Sequence, residues 1–225
     1  MTKCGSKDSA LLRPEVQQVL ERLHTLADTQ DDAIVQQVRN SAAWKSATSE
    51  QRATMLRDVL LPISREVGRF LYGIARSISA NRIVEFGTSY GVSTIYFAAA
   101  LCDNGGGLVI GSELEGSKVA KANRHLAEAG LAQFAEIRAG DAIQTLRDTG
   151  GTIDLLFLDG WKELTLDVLR LTLGSLHRGS VVLADDLHLF PDLLAPYLDH
   201  VRNPANGFVS VAIPLGDGIE YSVKL

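Results

Sequence analysis

The sequence predicts a doubly wound α/β domain with a mostly parallel sheet, closed by a C-terminal antiparallel hairpin and preceded by a helical N-terminal extension. After Asn81, five short apolar runs alternate with amphipathic segments. The runs are apolar throughout, as strands buried on both faces of a parallel sheet are. The last residues instead form two strand-like runs around a GDG turn, the pattern of a hairpin.

From Pro14 to about Ser79 the pattern is helical. Pro14 suits a first helical turn, and Val16, Val19, Leu20 and Leu23 recur at helical spacing. A second periodic segment carries Ile34 and Val38. A third carries Met55, Leu56, Val59 and Leu60 before Pro62, and a fourth carries Val67, Leu71, Ile74 and Ile78. The strand-like runs are RIVEFG (82–87), GLVIGSE (107–113), FAEIRAG (134–140), IDLLFLD (153–159) and GSVVLADD (179–186). Helical patterns over 92–102, 117–129, 142–148 and 162–176 separate them. GFVSVAIPL (207–215) and IEYSVKL (219–225) make the hairpin. Residues 1–60 are thus an extension and 61–225 the main domain. Ile34, Val38, Met55 and Val59 exceed what an isolated helical arm would leave in water, so the extension is expected to pair two subunits as a homodimer.

Composition limits the function. The chain has 225 residues, with 22 Lys+Arg against 27 Asp+Glu and a net charge of −5. Nucleic-acid binders show a basic face, so no nucleic-acid partner is expected. The apolar run Val92–Cys102 is about half of the ~20 residues needed to cross a bilayer, and no membrane partner is expected. The first residues, MTKCGSKDSALLRPE, hold no apolar export segment, so a cytoplasmic protein is expected. From Cys4 and Cys102 neither a disulfide framework nor a CxxC zinc pattern can be built.

The loop after the first strand, VEFGTSYGVST, admits three chemistries. A nicotinamide fingerprint needs G-x-G-x-x-G, and Ser89 stands where its second glycine belongs. Gly87-Thr88-Ser89-Tyr90-Gly91 matches the G-x-S-x-G nucleophile elbow, with Asp159 or Asp185 and His188 or His200 following in hydrolase order. Against it, the preceding 80 residues look helical and supply no oxyanion loop. The third reading, E-x-G-x-x-x-G, resembles the nucleoside-binding loop of Rossmann-like methyltransferases. Glu85 stands before the glycines. Glu113 ends the second strand, where a carboxylate can accept from a ribose diol, and Asp141 with Ala142 follows the third. Ligands of such sheets bind outside these carboxyl ends.

The fourth strand ends in Asp159-Gly160-Trp161-Lys162 and the fifth in Asp185-Asp186. These strands should be neighbours, which would cluster three carboxylates that repel unless a cation or proton holds them. An all-oxygen donor set suits Mg²⁺, Mn²⁺ or Ca²⁺ rather than zinc. Lys162 opens a helix, where its charge opposes the macrodipole. Beside a cation its pKa should fall, making it a candidate proton acceptor.

VEFGTSYGVST, SELE, GDA, LDGWK, LADD and PLGDGIEYS together resemble the cation-dependent O-methyltransferases related to catechol and caffeoyl-CoA methyltransferases. The likeness runs in order from about Leu61 to Leu225, and LDGWK followed by LADD is its most specific part. The resemblance implies S-adenosylmethionine and a divalent cation as cofactors and a small-molecule hydroxyl as acceptor. It implies that Gly87 and Ser93 line the methionine part, Glu113 holds the ribose, Asp141, Ala142 and Trp161 border the adenine, and Ile63 contacts the cofactor. Asp159, Asp185 and Asp186 match the metal ligands, and Lys162 matches the catalytic base. Many members have Asn where this chain has Asp186, so this cluster carries an extra negative charge. Three alternatives stand beside this reading: a metal-independent methyltransferase, a serine hydrolase using Ser89, and a silent nucleoside-binding protein.

Overall fold

The structure, a computed structural model, describes residues 9–225. Its sheet has seven strands in the order β3-β2-β1-β4-β5-β7-β6. These are β1 (Arg82–Phe86), β2 (Leu108–Glu113), β3 (Ala135–Ala139), β4 (Ile153–Leu158), β5 (Leu176–Ala184), β6 (Phe208–Ile213) and β7 (Ile219–Lys224). The first five are mutually parallel, β7 runs antiparallel to β5, and β6 pairs antiparallel with β7. The order reverses between β1 and β4, and this switch point opens the crevice in which such sheets hold ligands.

Alternation along each strand builds two cores. Ile83, Leu155, Phe157, Val181 and Leu183 face one side, while Val84, Leu156, Leu158, Val182 and Ala184 face the other. The first side is covered by α1 (Pro14–Arg39), α4 (Arg65–Ser77), α5 (Val92–Asn104) and α6 (Gly116–Glu128). The second is covered by α7 (Ala142–Thr145), α8 (Thr165–Thr172) and α9 (Pro191–Arg202). Helix α5 is apolar all round because it lies between the sheet and the N-terminal helices. Residues Val92 to Cys102 are all buried. Cys102 is disulfide-bonded, and Cys4 lies outside the described residues.

Helix α1 runs unbroken through the first two periodic segments, for no glycine or proline interrupts residues 15–39. Val16, Val19, Leu20 and Leu23 join the sheet's own core, so packing continues across the change in sequence pattern near residue 60. Two short helices follow, α2 (Ala42–Ser46) and α3 (Ser49–Met55), the latter opened by a Thr48–Gln51 capping box. Leu56, Val59 and Leu60 lie beyond α3 and are buried by the chain itself, so Val59 offers nothing to a second subunit. Helix α9, unrecognised in the sequence, has Pro191 in its first turn and buries Leu194, Tyr197 and Val201. Among the described residues no helix is long and apolar enough to cross a membrane.

Candidate active site

The chain leaves β1 at Gly87, whose φ is +96°. A Cβ there would lie 2.4 Å from the Asp159 carbonyl oxygen and 2.6 Å from its carbon. Only glycine lets the turn after β1 pass this close to the end of β4. Glu85 supports the loop from beneath. Its Oε2 accepts from Thr88 Oγ1 at 2.8 Å and Thr94 Oγ1 at 2.6 Å. Burial pushes its carboxyl pKa up, against the pull of the Ser93, Thr94 and Thr88 hydroxyls. Being 0% exposed, Glu85 presents no atom to the crevice. Glu85, expected among the cofactor-binding residues, thus acts on the crevice through the loop whose Thr88 and Thr94 hydroxyls it holds.

Glu113, at the end of β2, ties two loops together. Its Oε2 accepts from Ser89 N at 2.8 Å and its Oε1 from Glu115 N at 2.9 Å. Half-buried, it still has lone pairs for a diol, since a carboxylate offers about four acceptor positions. Ile63, Gly87, Ser93 and Asp159 line one narrow cleft, with Leu60–Pro62 facing the glycine loop across it. Asp141 is exposed and caps α7 through Ile143 N at 2.9 Å, with Ala142 buried behind it.

Asp159 and Asp185 follow directly on Leu158 and Ala184, which are paired in register on β4 and β5. The two carboxylates and that of Asp186 can each offer an oxygen within 4.8 Å of the others. Asp186 has φ +69° and its N donates to Asp185 Oδ1 at 2.8 Å. That left-handed conformation is one which Asp and Asn tolerate better than other side chains. The Lys162 ammonium bridges the cluster, 2.8 Å from Asp159 Oδ1 and 2.9 Å from Asp186 Oδ2.

Residues 84–187 match the family described as a methyltransferase domain. The catechol O-methyltransferase of Mycobacterium tuberculosis is 32% identical over 128 residues, 56% of this chain and 57% of that protein. The catechol O-methyltransferase of Niastella koreensis is 31% identical over 131 residues, 56% of this chain and 58% of that protein. The chain thus spans under three fifths of the length of the curated relatives it matches. Among solved structures, the O-methyltransferase TomG of Streptomyces achromogenes, involved in tomaymycin synthesis and crystallised with SAM, is 25% identical. Its TM-score is 0.64, over 88% of this chain and 98% of that one. Over residues 84–187 the chain is thus similar to methyltransferase domains, and over just over half its length to catechol O-methyltransferases.

The acidic cluster has its own electrostatics. Burial pushes Asp159 well up, and burial followed by the nearby Asp186 charge pushes Asp185 up to about 6. Lys162 is governed by its two carboxylate partners. Burial works to lower its pKa, but Asp159 and Asp186 outweigh that and hold it above the ordinary lysine value. The sequence indicated the helix dipole and a cation beside Lys162. It did not indicate that two carboxylates would be the lysine's direct partners.

Trp161 is half-buried against the second core, with its ring 6.4 Å from that of Trp44. The Arg52 guanidinium lies 5.2 Å over Trp44 and 3.7 Å from Glu163. The short helices of the extension therefore stand beside the LDGWK turn. Ser89 sits at φ +48°, but its hydroxyl donates to the Leu60 carbonyl at 2.5 Å and accepts from Lys118 at 3.1 Å. Neither His188 nor His200 partners it. His200 stacks edge-on against Phe208, so the arrangement needed for a Ser-His hydrolase is not assembled. Asp31 and Lys118 carry no motif, and only their positions in the fold bring them to this loop.

Proposed function

We propose that this chain is an S-adenosylmethionine-dependent O-methyltransferase that methylates a hydroxyl of a small molecule such as a catechol, phenol or vicinal diol. The carrying observation is that Asp159, Asp185, Asp186 and Lys162 cluster at the ends of β4 and β5, beside the Gly87 turn. The relatives' names and the SAM bound by TomG support the same reading.

An oxygen-only set of three close carboxylates fits a hard dication such as Mg²⁺, with Mn²⁺ or Ca²⁺ as alternatives. Asp159, Asp185 and Asp186 would hold it. The chemistry brought in from outside is an electrophilic sulfonium methyl and a dication's pull on an acceptor oxygen. The rest belongs to the chain. Glu113 accepts from the ribose, Gly87 lets the backbone approach the methionine end, and Ile63 with Ser93 walls that end of the cleft. Asp141, Ala142 and Trp161 stand where the adenine would lie. Lys162 Nζ is the atom that would take the acceptor's proton after releasing its own to solvent, a release that a cation held by Asp159 and Asp186 would favour. Positioning and fixed charge supply most of the acceleration.

A metal-independent version of the same transfer draws on one observation. Lys162 already bridges two of the three carboxylates, which holds the cluster together with a side-chain cation alone. The deciding experiment is a methyl-transfer screen of vicinal diols and simple phenols with Mg²⁺ and with EDTA. Transfer to diols that disappears in EDTA supports the cation-dependent form, and equal rates support the other. No transfer to any acceptor, with S-adenosylhomocysteine still bound, would point to a silent nucleoside-binding protein.

A further inference from the structure

A chain of hydrogen bonds crosses the mouth of the cleft and joins four separate segments. The Asp31 carboxylate, on α1 and 7% exposed, accepts from Leu60 N at 3.0 Å and from Leu61 N at 2.8 Å. The Leu60 carbonyl accepts from Ser89 Oγ at 2.5 Å, and Ser89 Oγ accepts from Lys118 Nζ, on α6, at 3.1 Å. An anion thus terminates the chain on one side and a cation on the other, with a peptide group and a hydroxyl polarised between them. Hydrogen bonds in such series strengthen one another, and in a buried setting the charged ends make them stronger still.

Two features tie this series to ligand exchange rather than to general stability. First, Leu61 and Ser89 both have φ +48°, a left-handed conformation that is strained for residues other than glycine. Such conformations persist where the surroundings over-determine them, and here the Asp31, Glu113 and Leu60 bonds do so. Second, Leu60–Ile63 forms one wall of the cleft and Gly87–Ser93 the other, with Asp159 also lining it. The Ser89 Oγ–Leu60 bond ties these two walls to each other. A second tie lies just outside, where Tyr90 OH donates to the Arg57 carbonyl at 3.3 Å.

We propose that Asp31, Ser89 and Lys118 form a latch that holds the Leu60–Ile63 strap over the glycine loop and sets how fast the nucleoside cofactor and its product exchange. The latch rests on the nucleoside-binding reading given above. The three are positioning residues: they act through the strap, with no part in the methyl-transfer step. Lys118 supplies the buried charge, Ser89 the relay, and Asp31 the anchor on α1.

The test uses the full chain. Release of S-adenosylhomocysteine is followed by stopped flow against excess S-adenosylmethionine, and amide exchange at Leu60 and Leu61 is measured in the free protein. Ser89→Gly is the informative variant, because glycine suits φ +48° and only the hydroxyl is lost. Release should become about tenfold faster, the order expected for a lost charge-assisted hydrogen bond, while the melting temperature stays equal or rises. A merely structural serine would give the opposite split. Lys118→Met and Asp31→Asn should also speed release and loosen the two amides. If either fails to fold, Ser89→Gly decides alone. Release in Ser89→Gly within about twofold of the parent would overturn the latch. Failure of the parent to bind S-adenosylhomocysteine would refute the proposed function instead. The Leu60 and Leu61 amides would then decide, with unchanged exchange in Ser89→Gly overturning the latch and faster exchange supporting it.

Discussion

Asp185→Asn tests the electrostatics of the acidic cluster through the pH dependence of stability. Asp185 is 5% exposed, and its carboxyl is raised from 3.8 to about 6 by burial and then by the Asp186 charge. Between those values the folded chain keeps a proton that the unfolded chain has released. The stability linked to this group is therefore fully present below pH 3.8 and is lost as pH rises through about 6. The gap converts to about 3 kcal/mol, at roughly 1.4 kcal/mol for each factor of ten in proton affinity. Asn does not titrate and still offers an oxygen to the Asp186 amide, so the variant escapes this loss. Its stability relative to the parent should rise by up to about 3 kcal/mol between pH 4 and 7. Burial pushes Asp159 in the same direction, so the two titrate together and the rise is spread over a wide interval. Urea unfolding of both proteins in EDTA, at unit steps of pH, measures the difference directly. A difference independent of pH, or one that falls as pH rises, would refute the assignment of a buried, raised carboxyl at Asp185.

Three further outcomes are expected. Gly87→Ala puts a methyl 2.4 Å from the Asp159 carbonyl at φ +96°, so it should cost about 2–5 kcal/mol in urea unfolding and weaken S-adenosylhomocysteine binding by calorimetry. Glu113→Ala should weaken that binding by about 1.5–3 kcal/mol, the range for a lost charged hydrogen-bond partner, and tighter binding of NAD than of S-adenosylhomocysteine would reject the cofactor reading. Lys162→Ala should lower the methyl-transfer rate by ~10²–10⁴, with partial recovery at higher pH, while EDTA should abolish transfer by the parent and leave S-adenosylhomocysteine affinity unchanged.

The sequence by itself determined the alternating strands and crossover helices, the switch to an antiparallel hairpin, and the order in which Glu113, Asp141, Asp159, Asp185 and Asp186 meet the strand ends. These were legible because period and strand-end chemistry are local: an apolar run and the residue that ends it lie within a few positions of each other. Helix α9 was missed, although Leu194, Tyr197 and Val201 recur at helical spacing, because Pro196 interrupts the pattern and reads as a breaker. Only the tertiary structure decided that Glu85 is spent on Thr88 and Thr94 beneath the loop, and that Lys162 is clasped by Asp159 and Asp186. It alone joined Asp31 to Leu60, and Ser89 to Leu60 and Lys118, across 29 residues in each case. Burial and charge are summed over everything within a few ångströms, whatever its distance along the chain, so whether an acid meets a ligand, a lysine or a loop is settled only when the elements pack.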